Sequence, residues 1–161
     1  TTAVGLRQAL PAADTYICSL AIGAGTLTVG SRYRLKLFFG YSLTTANTTI
    51  RVLYGSAGTT ADTAIHTLAF TGNYAADVAE VDIEIGVDVI NAATGAITVI
   101  SLMSRDLGQT SNGFHTSTGT PTATTQTTTL DTTAARVLGV SVQENVTGVT
   151  LLAATLQLIR L

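Results

Sequence analysis

From Ala79 to Ile90 the chain reads Ala-Glu-Val-Asp-Ile-Glu-Ile-Gly-Val-Asp-Val-Ile, and this strict two-residue alternation limits the fold more than any other feature. Successive side chains on a strand point to opposite faces. Val81, Ile83 and Ile85 are therefore expected inward, and Glu80, Asp82 and Glu84 outward. The same period recurs in Ser31 to Tyr41, where Tyr33, Leu35 and Leu37 share one face and Arg32, Arg34 and Lys36 the other.

Shorter runs repeat the signal between clusters of Gly, Asn, Asp and Thr. Tyr16 to Ile22, Thr26 to Val29, Thr48 to Tyr54, Ala64 to Phe70, Ala96 to Ser104, part of Thr116 to Thr129, Ala134 to Gln143 and Val149 to Leu161 are read as strands. Gly23-Ala24-Gly25 and Asn91 to Gly95 are read as turns, although Val87 to Ala93 could also take a helical turn. Strands this short, recurring about every ten residues with no alternating helices, predict an all-β antiparallel two-sheet sandwich or jelly roll of about eight strands. The 161 residues leave no room for a second core. Residues 1–13 are expected to form an N-terminal arm and residues 14–161 the domain.

The last strand departs from simple alternation. Leu152, Ala154, Leu156 and Leu158 share one parity, and Leu151, Ala153, Ile159 and Leu161 the other. A strand apolar on both faces is covered on both, either by another subunit or, if central, by loops. Leu152, Leu156 and Leu158 are accordingly candidate subunit-interface residues. Arg32, Arg34, Glu80, Asp82 and Glu84 are candidates too, because the two charged stripes can pair between strands or between subunits. Composition agrees with assembly. Only 11% of residues are charged, with one lysine and three glutamates, while 31 are threonine. A neutral, β-branched surface is easily desolvated against a copy of itself.

Few residues suggest chemistry. His66 and His115 are the only histidines, and no nucleophile elbow accompanies them. His66 shares parity with Ala64 and Leu68 and reads as a hydrogen-bonded core residue. The lone Cys18 reads as a small buried hydrophobe. Metal-ligand spacings are missing, and acidic residues two apart on a strand sit too far apart to chelate one ion easily. No cofactor is expected. A pI near 5.5 without a basic patch argues against nucleic acid, and no run is long enough for a membrane helix. Asn47-Thr48-Thr49 and Asn145-Val146-Thr147 match the glycosylation pattern by chance. Tyr74, Phe114 and His115 lie in polar loops and are candidate partner contacts.

Several stretches resemble jelly-roll virion proteins of tailed bacteriophages: Gly25 to Leu35, Ala46 to Gly55, Thr94 to Val99, Leu130 to Ala135, and the closing Thr155 to Ile159. The resemblance covers most of the chain and rests on strand pattern and turn chemistry. It implies a non-enzymatic structural protein located in the virion and assembled in the host cytoplasm. The family includes head-decoration knobs, head fibres, and tail-fibre or baseplate tips. The segment Thr1 to Asp14 is short for a fibre shaft. The expectation is therefore a capsid decoration protein, binding the major capsid protein or other virion proteins as a homotrimer. A receptor- or glycan-binding tip of a fibre or tail is the alternative.

Overall fold

The computed structural model describes residues 2–4, 8–9, 13–41, 48–70, 77–106, 122–144 and 149–159, with side chains described within 13–36, 49–69, 80–102 and 124–143. Among these residues there are eleven strands and no helix: β1 (Thr2–Val4), β2 (Gln8–Ala9), β3 (Thr15–Ile22), β4 (Arg32–Tyr41), β5 (Thr48–Gly55), β6 (Thr63–Phe70), β7 (Asp77–Val89), β8 (Gly95–Asp106), β9 (Thr122–Leu130), β10 (Arg136–Glu144) and β11 (Val149–Ile159). They form two antiparallel sheets. One has the order β1-β11-β4-β7-β8-β9, with β2 also paired to β11, and the other has the order β3-β10-β5-β6.

The connections make this a jelly roll. The chain pairs from its two ends inward: β1 with β11, β3 with β10, β4 with β7, and β5 with β6. Successive pairs alternate between the sheets, as when one long hairpin is wound on itself. The roll closes through β11–β4 in one sheet and β10–β5 in the other. β8 and β9 are added between β7 and β10 and widen the larger sheet on its β7 side. The segment expected as an arm contributes β1 and β2 along β11.

Alternation places the core where the sequence put it. Tyr33, Leu35, Val81, Ile83 and Ile85 are each at most 4% exposed. Across the sandwich they face Ile50, Val52, Leu138 and Val140, which are equally buried. Full burial of such side chains contributes about 1.5–3 kcal/mol each. The inward threonines of β9 serve differently. Thr127 Oγ1 donates to Ile65 O on β6 at 3.2 Å, so this Thr-rich strand is hydrogen-bonded to the facing sheet.

Three local expectations change. Thr26 to Val29 is not a strand but a looped crossing, fixed by Gly25 N–H to Thr133 O and Gly30 N–H to Val87 O. Gly25 and Gly30 have φ of +69° and +85°, which a β-branched run cannot supply. Leu27 (4% exposed) plugs the core from this loop. Next, Val87 to Ala93 makes no helical turn: β7 runs to Val89. Asn91 Oδ1 then accepts the N–H groups of Ala93 and Thr94 to build the hairpin turn. Finally, a bulge at Leu152 breaks the alternation of β11. Leu151 is set opposite Phe39, and Ala154, Leu156 and Leu158 opposite Leu37, Leu35 and Tyr33. Ala153, Thr155, Gln157 and Ile159 are opposite Phe38, Lys36, Arg34 and Arg32, so Leu151 and Ile159 no longer share one unbroken parity.

Candidate interaction surface

β4 and β7 are neighbours, which brings the two charged stripes together on the outer face of the larger sheet within one chain. Arg32 is opposite Gly86, Arg34 opposite Glu84 and Lys36 opposite Asp82. Each cation reaches past its direct neighbour to the diagonal acid. Arg32 NH1 lies 3.3 Å from Glu84 Oε1. Arg34 donates from Nε and NH2 to the two oxygens of Asp82 at 3.0 and 3.1 Å. Lys36 Nζ donates to Glu80 Oε1 at 2.9 Å and lies 3.5 Å from Asp82 Oδ2. Long side chains span such diagonals readily in a twisted sheet. Gly86 leaves room for the first rung, because a Cβ there would come within 2.5 Å of Arg32 NH1.

Asp82 holds the ladder together. Burial raises its pKa, but the hydrogen bonds and charge of Arg34, together with Lys36, more than offset this and hold the carboxyl below its usual range. The hydrogen bond to Glu80 raises the pKa of Lys36. Side chains of the three cations remain 40–43% exposed. Each pair therefore contributes only about 0.2–1 kcal/mol. The ladder fixes the β4–β7 register and leaves this face nearly neutral.

Beside it, β8 places Ile100 opposite Glu84 and Leu102 opposite Asp82. These side chains are 42% and 50% exposed, and with Arg32, Arg34, Asp82 and Glu84 they line a shallow depression. Further along the face, Asp88 Oδ2 accepts from Thr98 Oγ1 at 2.6 Å and from Gln126 Nε2 at 3.2 Å, tying β7 to β8 and β9. Ile100 and Leu102 were missed in the sequence, although the signal was present. Ala96 to Ser104 carries Ile97 and Val99 on one parity and Ile100 and Leu102 on the other.

The remaining singled-out residues fall as follows. His66 is 2% exposed. Its Nδ1 pairs with Thr125 Oγ1 and its Nε2 with Ser101 Oγ, both at 2.9 Å, joining β6 to β9 and β8. Burial lowers its pKa, which favours the neutral ring, in which one nitrogen donates and the other accepts. The expected core histidine is thus what the fold contains. Cys18 is 5% exposed, and burial pushes its thiol up to about 12, far from the thiolate needed for reactivity. Among the described residues, no group of three or more His, Cys, Asp or Glu could hold a metal ion. The acidic stripe is committed to Arg32, Arg34 and Lys36. Tyr74, Phe114 and His115 lie outside the described residues. Leu152, Leu156 and Leu158 are placed by register alone, the first at the bulge and the other two opposite Leu35 and Tyr33, and their side chains lie outside those described.

No family model, curated protein or solved structure matches this chain.

Proposed function

We propose that this chain is a phage-type virion structural protein that binds the outer capsid surface as a homotrimer and cements neighbouring capsid subunits. The reading begins from the similarity of the strand and turn pattern to tailed-phage jelly-roll proteins. One observation carries it further: the outer face of the larger sheet combines an internally neutralised charge ladder with exposed Ile100 and Leu102. A face whose charges already hold their partners costs less to desolvate than one that carries unpaired charges. Covering the exposed halves of Ile100 and Leu102 contributes on the order of 1 kcal/mol each. That is weak for one contact, and it becomes effective when the three subunits of a trimer engage a repeating lattice together.

The corresponding experiment mixes the purified protein with empty heads of its parent phage and measures co-sedimentation. Saturable binding is expected for the wild-type protein, with at least a tenfold weaker affinity for Leu102→Asp. Wild-type protein that stays in the supernatant at every concentration contradicts the reading, as does a Leu102→Asp variant that binds like wild type.

A further inference from the structure

The larger sheet ends on β9, and this edge differs from the other sheet edges. On the far side of the same sheet β1 and β2 are three and two residues long. Both edges of the smaller sheet carry a bulge within the strand: the pairing with β10 skips Ile17 on β3, and the pairing with β5 skips Ile65 on β6. The Ile65 carbonyl is in turn capped by Thr127 Oγ1. Short strands and bulges are ordinary means of keeping a sheet edge from pairing with another chain. β9 has neither over most of its length. Thr122 to Thr127 pairs residue for residue with Leu102 to Ile97, and a bulge comes only at the end, between the Ile97–Thr127 and Gly95–Leu130 pairs. The nine residues of β9 include six threonines and no charged residue, proline or glycine.

Side chains hold this strand on both faces. On the inner face Thr125 Oγ1 pairs with His66 Nδ1 and Thr127 Oγ1 donates to Ile65 O. On the outer face Thr124 and Gln126 are exposed, and Gln126 Nε2 donates to Asp88 Oδ2. The backbone is therefore fixed in extended form. Every second residue directs its N–H and C=O to the open edge, where no described strand pairs with them. An added strand gains those hydrogen bonds without first ordering β9. A second copy of β9 fits this edge. A two-fold axis normal to the sheet sets two β9 strands antiparallel and brings each residue opposite one of the same parity, so inward positions stay inward. Threonine is then paired with threonine, alanine or glutamine, and no charge meets its like.

We propose that the β9 edge is a self-pairing site, at which β9 of a second copy of this chain continues the larger sheet, with the two-fold axis at Thr124, Thr125 or Gln126. The inference goes beyond the virion reading and does not rest on it. A two-fold contact cannot close a trimer, and a few residue pairs fall short of a stable interface. The pairing therefore joins copies, or whole trimers, when they are crowded together. Thiol cross-linking of the full chain at high concentration tests it. Opposite residues of antiparallel strands have Cα atoms about 4.5–5.5 Å apart, within the range of about 4.4–6.8 Å that a disulfide spans. A residue one or two positions from the axis lies about 8 or 14 Å from its own counterpart, beyond that range. Thr124→Cys and Gln126→Cys chains are mixed in equal amounts and oxidised with diamide, which takes up the two thiol hydrogens. Wild type, with its buried Cys18, is the blank. Intact mass separates the three disulfide dimers. An axis at Thr124 gives the 124–124 dimer, an axis at Gln126 the 126–126 dimer, and an axis at Thr125 the mixed one. Random collision between exposed thiols gives all three in the statistical ratio, about one to two to one. One dimer is expected to exceed the other two at least tenfold beyond that ratio. The statistical ratio itself, or no dimer above the blank, overturns the proposal.

Discussion

Replacing Gly139 with alanine tests how the smaller sheet is covered. Gly139 lies on β10 opposite Ser19 on one side and Leu53 on the other. A Cβ at this position would come 1.9 Å from Tyr16 Oη, 2.4 Å from Cζ and 2.6 Å from Cε2. Carbon atoms pack at roughly 3.5–4 Å, so the ring must move by about 1 Å or more. The ring lies over Gly139, whose neighbour on β5 is Leu53. That residue is 1% exposed although its parity faces away from the core. Displacing the ring from this tight contact is overpacking, which costs about 1–3 kcal/mol. For a chain of this length each kcal/mol lowers the melting temperature by about 2–4 °C. The assay is urea and thermal unfolding of Gly139→Ala, Tyr16→Ala and the double variant. The alanine should destabilise the wild-type background by about 1–3 kcal/mol and the Tyr16→Ala background by far less. Equal effects in both backgrounds, or a Gly139→Ala protein as stable as wild type, would refute the placement of the ring.

Two further outcomes follow from the buried polar groups. Burial lowers the pKa of His66 in the folded chain, so as the pH falls through about 6.5 the unfolded chain takes up a proton before the folded chain does. Stability should fall on acidification by up to about 1.4 kcal/mol per pH unit from this residue. A His66→Gln variant should lose that part of the pH dependence, and identical pH profiles for the two proteins would contradict it. Thr132 is 1% exposed. Its hydroxyl donates towards Val89 O and Asn91 O and accepts from Asn91 N–H, holding the β7–β8 turn. Thr132→Val should cost about 1–3 kcal/mol, read by urea unfolding, and a change within 0.5 kcal/mol would show that the turn holds itself.

Much of the fold was legible because burial on one face writes itself as alternation. On β4 and β7 the expected inward residues Tyr33, Leu35, Val81, Ile83 and Ile85 are buried, Leu37 lying outside the described side chains, and the two charged stripes were recognised as complementary. Their pairing within one chain followed only once β4 and β7 were found side by side, a fact of topology that no local pattern encodes. Thr122 to Leu130 was harder. Its inward threonines are polar yet bonded to the facing sheet and to His66, so hydrophobicity alone understates it. Leu27 was misread because a single core plug between turns resembles a strand end. The reading of β11 assumed unbroken parity, and one bulge at Leu152 interrupts it. The open edge of β9 was invisible in sequence. It depends on the order of strands in the larger sheet, in which β9 comes last.

The central claim is that the outer face of the larger sheet works in a homotrimer. Size-exclusion chromatography with light scattering tests it most directly. The account predicts a native mass of three chains, 3 × 16.5 kDa = 49.5 kDa. A monodisperse species at 16.5 kDa across the accessible concentration range would contradict it.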